Sequence, residues 1–252
     1  MTTIHEVINE LDEIIKQCKA SKSKLGYFAA LYRAMTQSVL DAIETGYFDD
    51  GARMAHLDVL FAKRYLDAWN CYAQNQPCSP SWKTVFDARK EDNLVVLQHL
   101  ILGINTHINL DLAVAAAATC PGDLIFGLEN DFSKINALIA TLTDLVQARL
   151  ETIWWPMKLL KRVVNGREKA IINFSITTAR KTSWANAVAL ATISGKPSDD
   201  YIQRIDATVN IVGGSIINPG AFTKLLLMPV RWIEYRDVNR VIDILNQPFA
   251  VK

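Results

Sequence analysis

One long apolar run, from Leu94 to Cys120, constrains the fold more than any other feature of this chain. Its length would allow it to cross a bilayer as a helix. However, it carries six strongly polar side chains, namely Gln98, His99, Asn105, His107, Asn109 and Asp111. So many polar groups would be very costly to place in lipid. We therefore expect no transmembrane segment, and the run predicts the buried central helix of a soluble helical bundle.

The rest of the chain shows helical periodicity. An apolar face at three- and four-residue spacing is formed in the first segment by Ile4, Val7, Ile8, Leu11, Ile14 and Ile15. Similar patterns predict helices over about 26–45, 52–74, 81–89, 93–119, 131–154, 167–194, from 198 onward and over 229–245, with a loop at 212–220. Asp50 is expected to cap the third helix. No strict alternation requires a sheet, so we predict an all-α, single-domain bundle over residues 1–252.

Composition excludes several classes of function. The charges nearly balance, with 27 Lys and Arg against 26 Asp and Glu, so no basic excess indicates nucleic-acid binding. The four cysteines form no CxxC pair, and the N-terminus lacks the basic and apolar regions of a signal peptide. These features together predict a cytoplasmic protein. The chain also lacks the glycine-rich phosphate-binding motifs and the GxSxG nucleophile motif.

Two stripes of residues run along the central helix. At about 100° per residue, the first stripe comprises Gln98, Asn105 and Asn109, and the second comprises His99, Gly103, His107 and Asp111. Because apolar residues cover the surface between them, the helix is expected to be buried, and its polar groups need partners on other helices. A glycine inside a helix costs about 1 kcal/mol relative to alanine, so Gly103 indicates a close approach by another backbone or a ligand. These groups could form a network that fixes helix packing, but their number favours a functional site.

A metal site on the same helix is a second possibility. His107 and Asp111 are four residues apart and could share one ion. A typical catalytic zinc site needs a third protein ligand, which His56, Asp58 or Asp131 would have to supply. The chain contains no HExxH motif and no Glu/His pair typical of di-iron bundles. The sequence therefore leaves the metal and any other cofactor unknown.

Two further groups of residues are candidates for catalysis or binding. Asp58 and Tyr65 share one face of the third helix, and Arg64 lies about 100° to one side. Arg64 could hold a carboxylate or phosphate through its planar guanidinium, and an ordinary surface face is the alternative. Arg180 and Trp184 are four residues apart in the second half of the chain. A surface arginine that covers a core tryptophan is the simpler interpretation of that pair.

The same residues resemble a bacterial domain family of unknown function. The central motif of the resemblance is Gln98-His99-Leu100 … Asn105-Thr106-His107-Ile108-Asn109-Leu110-Asp111. Upstream it includes Tyr27-Phe28-Ala29-x-Leu31-Tyr32, Phe48-Asp49-Asp50-Gly51-x-Arg53-Met54 and Leu57-Asp58-x-x-Phe61-Ala62-x-Arg64-Tyr65-Leu66, and downstream, more weakly, Asp131-Phe132, Asn136 and Ala179-Arg180-x-x-x-Trp184. Lys63 departs from the pattern, which usually has a small polar residue there. The resemblance implies a helical domain in which these polar residues cluster, and it implies no reaction.

The sequence-based hypothesis is an enzyme that acts on a small or amphipathic organic molecule. A histidine would serve as general acid or base in a hydrolysis, isomerisation or cyclisation, oriented by a carboxylate. The expected catalytic residues are His99, His107, Asp111, Asp58 and Arg64. The expected substrate-binding residues are Tyr65, Gln98, Asn105, Asn109, Arg180 and Trp184. The alternatives are a metal-dependent hydrolase, a non-catalytic protein that binds a small ligand, and an interaction protein. The oligomeric state is not predicted.

Overall fold

The computed structural model of the chain describes residues 2–153, 167–220, 227–228, 231–232, 234 and 237–249. This part of the chain contains ten α-helices and no strand, which confirms the predicted all-α fold. The helices are α1 (Ile4–Ala20), α2 (Gly26–Glu44), α3 (Gly51–Ala73), α4 (Pro80–Asp87), α5 (Val96–Thr106), α6 (Leu112–Thr119), α7 (Glu129–Ile153), α8 (Arg167–Ala191), α9 (Lys196–Ile217) and α10 (Val238–Leu245). The 3₁₀ segment Ala88–Lys90 follows α4, the 3₁₀ segment Gly122–Leu128 precedes α7, and a π-helical turn, His107–Asp111, joins α5 to α6.

Side-chain caps explain where several helices begin. The hydroxyl of Thr3 accepts the backbone N–H of Glu6, and the Glu6 carboxylate accepts the N–H of Thr3 in return. Asp50 caps α3, as predicted, by accepting the N–H of Arg53 at 2.9 Å. Ser79 caps α4 in the same way. Each cap satisfies a backbone donor that the first turn of a helix leaves without a partner.

The predicted loop over 212–220 is wrong at 212–217, because α9 continues as far as Ile217, and only 218–220 lie outside the helix. Gly213 is buried within this helix, and a Cβ at that position would lie 3.6 Å from Thr84 and 3.7 Å from Leu102. The close packing of α9 against α4 and α5 therefore outweighs the low helix propensity of glycine.

The predicted helix over 229–245 is also wrong in its extent. The chain bends at Glu234, and α10 begins at Val238 after the cap residue Asp237. The predicted helix end at Trp154-Trp155-Pro156 lies outside the described residues.

The continuous element α5–π turn–α6 lies among the other helices. α5 packs against α2, α4 and α9, whereas α6 packs against α3 and α8. Leu100 and Leu102 of α5 join one apolar cluster, and Leu110 and Leu112 join another. The π turn lies where the two clusters meet, and it contacts α3, α8 and α9. The polar residues of this turn are therefore held from several sides.

The segment Val96–Thr119 has the length and mean hydropathy of a membrane-spanning helix, but 67% of its apolar window is buried inside the protein. The core helix of a soluble protein has the same properties. Length and hydropathy alone therefore do not identify this segment as a membrane span.

Candidate active site

The π turn His107–Asp111 distinguishes the central helix from a regular α-helix. The N–H of Leu112 donates to the carbonyl of His107, five residues earlier, so the turn holds one more residue than an α-helical turn. Regular helical geometry was expected here, and the structure differs. Single π turns within α-helices are frequent at functional sites. This one carries His107 and Asp111, two of the predicted catalytic residues.

Asp111 is a fully buried carboxylate with three hydrogen-bond donors around it. His107 Nδ1 lies 2.9 Å from Oδ2, and the indole Nε1 of Trp82 donates to the same oxygen at 2.9 Å. Arg64 Nε donates to Oδ1 at 3.3 Å. The Asp111 side chain is 0% exposed and that of Arg64 is 37% exposed. Three donors, one of them a guanidinium, offset the cost of burying this carboxylate.

His107 lies in an aromatic cage. The ring of Phe61 stacks on the imidazole with centroids 3.6 Å apart, and the ring of Tyr32 meets it edge-on at 4.5 Å. Burial lowers the pKa of His107, and the hydrogen bond to the Asp111 carboxylate opposes this only in part. A lowered pKa favours the neutral imidazole at pH 7. Its Nε2 is buried and has no hydrogen-bond partner among the described residues.

Two more buried polar atoms lack hydrogen-bond partners in the described part of the chain: Tyr32 Oη, whose ring contacts His107, and Asp58 Oδ2. Burial raises the pKa of Asp58 to about 7. Burial also raises the pKa of Tyr32, and the nearby Asp58 carboxyl adds to that effect. Buried polar atoms normally have partners, so atoms without them indicate a place that a ligand or water occupies.

The amide residues of the central helix hold α9. Gln98 Nε2 donates to the carbonyl of Ile216 at 2.8 Å, and Asn105 Nδ2 donates to the carbonyl of Val209 at 3.1 Å. Asn109 Nδ2 donates to Asn105 Oδ1 at 3.1 Å. Ile216 lies in the last turn of α9, where carbonyls have no partner within the helix, so Gln98 serves as a cap there. Substrate binding by these amides stays a prediction.

His99 lies in different surroundings from His107. Its ring packs edge-on against Tyr27 at 5.8 Å, and it lines a cavity of about 10 Å³ together with Lys24, Phe28 and Tyr65. That volume holds at most one water molecule. Burial lowers the pKa of His99 to about 4, and its Nε2 has no hydrogen-bond partner among the described residues. The structure thus keeps the two histidines in separate surroundings.

Phe28 lies between these two histidine environments. Its ring lines the His99 cavity, and its centroid is 5.8 Å from that of His107. A Cβ on Gly103 would come within 2.3 Å of the same ring. The close approach predicted at Gly103 is thus made by an aromatic side chain. Tyr65 is also buried here, with its ring centroid 5.3 Å from that of Phe28 and 6.3 Å from that of His107.

Arg180 and Trp184 lie at the packing of α8 against α7. The Arg180 guanidinium is 5.8 Å from the ring centroid of Phe132, and the Trp184 ring is 4.9 Å from it. Arg180 is only 3% exposed, so the interpretation as a surface arginine is wrong, and burial lowers its pKa to about 9. α8 also packs against the π turn, but the contacts of both residues with Phe132 point to the helix interface.

Within the described part of the chain, the structure brings no third metal ligand to His107 and Asp111. Among the described residues, no group of three or more His, Cys, Asp or Glu side chains lies close enough to hold one ion. Asp131, one of the considered ligands, instead accepts the N–H of Asp49 at 2.7 Å and the N–H of Asp50 at 3.0 Å. It thereby fixes the turn before α3.

The sequence did not predict the contact of Trp82 with Asp111, nor the contacts of Tyr32 and Phe61 with His107. Tyr32 and Phe61 belong to motifs that carry the family resemblance, so that signal was available. Trp82 lies on the short helix α4 and reaches Asp111 from 29 residues away in sequence. No local pattern indicates such a contact, because it depends on how the helices pack.

Comparison with known proteins identifies a family that the chain matches. A family model described as "Family of unknown function (DUF5995)" matches residues 4–219, which include every residue of the site around His107. The predicted resemblance to a family of unknown function is therefore confirmed. Neither the search of curated proteins nor the search of solved structures returned a match.

Proposed function

The chain belongs to the DUF5995 family, and because the function of that family is unknown, we propose one from the site itself: acid–base catalysis on a small organic molecule, centred on His107. The observation that carries the proposal is the His107–Asp111 pair, in which Nδ1 faces Oδ2 at 2.9 Å and the buried Nε2 has no partner among the described residues. This arrangement presents a neutral imidazole nitrogen as a base.

Asp111 is the positioning residue of the proposed site. Its carboxylate accepts the Nδ1–H of His107 and so holds the tautomer with a free lone pair on Nε2. Trp82 and Arg64 keep the carboxylate in place by donating to its two oxygens. Arg64 therefore acts through Asp111. Its predicted contact with an anionic substrate group is a separate proposal, for which its partly exposed side chain leaves room.

In the proposed reaction, Nε2 of His107 takes a proton from the substrate or from a water molecule. The imidazolium that forms keeps its hydrogen bond to Asp111, whose negative charge stabilises it. Asp58 is the proposed acid, because its charge acts on Tyr32, whose ring contacts His107, and a carboxyl with a pKa of about 7 retains its proton in many molecules near neutrality. A base and an acid with pKa values set by different surroundings suit hydrolysis, isomerisation or cyclisation.

The first test is the protonation state of the His107 ring, measured by ¹⁵N NMR of histidine-labelled protein. At pH 7 we expect a proton on Nδ1 and none on Nε2. His107→Gln assigns the signal by its loss, and His5→Gln on the exposed face of α1 is the matched control. A proton on Nε2 at pH 7 would remove the base and contradict the proposal.

The second test looks for turnover without assuming a substrate. Wild type, His107→Gln and His5→Gln are each incubated with a mixture of small metabolites, and mass spectrometry follows which compounds are consumed and formed. We expect conversion by wild type and His5→Gln but not by His107→Gln. A compound that co-purifies and is released unchanged, with no conversion, would favour a non-catalytic binding protein.

Metal content separates the proposal from the metal-dependent alternative. Elemental analysis is made on protein purified without a metal-affinity tag, for wild type and His107→Gln in parallel. About one metal ion per chain in wild type, lost in the variant, would replace acid–base catalysis by a metal-dependent hydrolase. Equal and substoichiometric metal in both proteins would leave the acid–base proposal in place.

A further inference from the structure

A cleft of about 870 Å³ opens on the surface away from the His107 site. It lies between the C-terminal ends of α1 and α3, the loop after α3, and the end of α4 with its 3₁₀ segment. Its volume falls within the range of sites for small organic ligands. None of the residues that line it belongs to the His107–Asp111 pair or its aromatic cage.

Aromatic rings form one wall of this cleft. Trp69 and Tyr72 are partly exposed in it, and both pack on the buried ring of Phe86, with centroids 6.0 Å and 4.9 Å away. Phe86 is 1% exposed, so it anchors the two outer rings. A fixed and partly exposed pair of aromatic side chains is suited to stacking on a planar ligand.

The charged residues of the cleft leave an excess of positive charge. Among the described residues, its lining includes Lys83, Arg89 and Lys90 but only one carboxylate, Asp87. Asp87 is already engaged by Lys83 and by the Tyr72 hydroxyl, which donates at 2.9 Å. Lys90 Nζ lies 3.9 Å from the same carboxylate. Two of the three cations thus share this single carboxylate.

Arg89 is the cation best placed to meet a ligand. Its guanidinium lies 5.5 Å from the ring centroid of Tyr72, and no ion pair joins it to a carboxylate among the described residues. A guanidinium over an aromatic ring can bind an anionic oxygen while the ring holds the planar part of the same molecule.

The backbone at the edges of the cleft is strained. Lys22 and Asn75 have φ angles of 50° and 56°, and no other non-glycine residue in the described chain has a positive φ. Both follow helix ends at the cleft, α1 and α3, where glycine is the usual residue. Such strain is frequent around functional sites.

From these observations we infer that this cleft binds a planar aromatic molecule that carries a negative group. The planar part stacks on Trp69 and Tyr72, and the negative group pairs with Arg89, supported by Lys83 and Lys90. The inference does not depend on the function proposed for His107, because the two sites share no residue.

Isothermal titration calorimetry of the full chain tests this with four probes. AMP and naphthalene-2-sulfonate are the aromatic anions, adenosine lacks the charge, and inorganic phosphate lacks the ring. We expect both aromatic anions to bind with Kd below about 1 mM, and adenosine and phosphate to bind at least about tenfold more weakly. Failure of both aromatic anions to bind below about 10 mM would overturn the inference.

Single-residue variants test whether the aromatic anions bind in the cleft. Arg89→Gln should weaken the binding of both aromatic anions about tenfold, since it removes one charge-assisted hydrogen bond. Trp69→Leu should weaken the binding of these anions by a similar factor, because it removes a stacking surface. Lys16→Gln, an exposed lysine on α1 outside the cleft, is the matched charge control and should change Kd less than about twofold. Binding that is unchanged in Arg89→Gln would overturn the inference, and this exposed position removes folding as an explanation. His107→Gln should leave these affinities as in wild type.

Discussion

Asp58 and Asp111 are both buried carboxyl groups on facing helices, yet their surroundings differ. Asp111 accepts hydrogen bonds from His107, Trp82 and Arg64, which compensate its negative charge. Asp58 has one oxygen with no partner among the described residues, and burial raises its pKa to about 7. Such a difference between two carboxyl groups is what an acid–base site requires. The sequence placed both residues on helices but could not show which one would have donors.

Asp58 should make stability depend on pH in a defined direction. Its pKa is about 7 in the folded protein and about 3.8 in the unfolded chain. Between these values the folded state binds more protons, so this carboxyl's contribution to stability is lost as the pH rises. Asp58→Asn removes that effect. The free energy of unfolding of Asp58→Asn, relative to that of wild type, should therefore increase with pH by up to about 1.4 kcal/mol per pH unit between pH 5 and 7.

Urea unfolding of both proteins at several pH values measures this difference. Burial shifts the pKa of His99 in the opposite direction, to about 4, but its effect cancels because both proteins contain His99. Asp67→Asn, on the exposed face of the same helix, is the matched control. A constant difference between Asp58→Asn and wild type across this range would show that Asp58 ionises normally and cannot serve as the acid.

Asp111→Asn tests how much the fold depends on the buried pair. An amide has one acceptor oxygen and two N–H donors, so it cannot accept from three donors, and its NH₂ group would face one of them. We expect a loss of about 3–5 kcal/mol in the free energy of unfolding, measured by urea denaturation. Asp12→Asn removes the partner of Arg33 at a half-exposed ion pair and should cost about 1 kcal/mol or less. Similar losses for both variants would mean that Asp111 only fills space.

At the level of elements, the π turn at His107–Asp111 is the feature that the sequence did not predict. Apolar residues on all sides of the central helix make it easy to locate in the sequence. For the same reason, one extra residue in a turn changes no visible pattern, so the π turn could not be predicted. The stripes were nevertheless useful. Gln98 and Asn105 both reach carbonyls of α9, and Gly103 and His107 both face Phe28. The sequence therefore predicts which residues share one side of the helix, but it does not predict which residues of other helices contact that side.

Gly103 links the central helix to α2 through Phe28. In a helix, alanine is favoured over glycine by about 1 kcal/mol, so Gly103→Ala would stabilise an unpacked helix. In this protein the new Cβ would lie 2.3 Å from Phe28 Cδ2 and 2.4 Å from Cγ. We expect crowding to outweigh propensity and to lower the free energy of unfolding by about 1–3 kcal/mol.

A double-mutant cycle with Phe28→Leu shows whether this contact is the cause. The smaller side chain should make room for the Cβ, so Gly103→Ala should cost less in the Phe28→Leu background than in wild type. Thermal unfolding followed by circular dichroism measures all four proteins. If the two substitutions add without coupling, the glycine serves some purpose other than the approach of Phe28.

For the whole molecule, apolar spacing and caps predicted the fold class and most helices, since these signals are local. The prediction failed at 212–217, where packing of Gly213 against α4 and α5 keeps α9 helical. The sequence pattern also did not predict that Trp82 contacts Asp111, or that Arg149 contacts the end of α10. Arg149 on α7 donates to the carbonyl of Leu245 at 2.7 Å and lies 3.7 Å from the ring centroid of Phe249. Such contacts depend on tertiary arrangement, which a single sequence does not encode in any short pattern.

Helix α10 lies beyond the residues that the family model matches, which end at 219, and yet it belongs to the same core. Val241, Ile242 and Leu245 are 0% exposed, and α10 packs against α1, α2 and α7. Leu245→Ala should therefore lower the free energy of unfolding by about 2–5 kcal/mol, as truncation of a buried leucine does. Asp243→Ala, on the same helix as Leu245 and in an exposed ion pair with Lys19 of α1, should cost about 1 kcal/mol or less.

Urea unfolding followed by far-ultraviolet circular dichroism and by tryptophan fluorescence measures this effect. In Leu245→Ala we expect both signals to shift together to lower urea, because α10 shares its apolar cluster with the helices around α5. The opposite result would be an early, small loss of helix with the main transition unchanged. That result would mean that α10 is an appended helix and that the segment matched by the family model folds without it. A joint shift would mean that the cooperative unit extends past residue 219 and that the site around His107 depends on helix packing outside the matched segment.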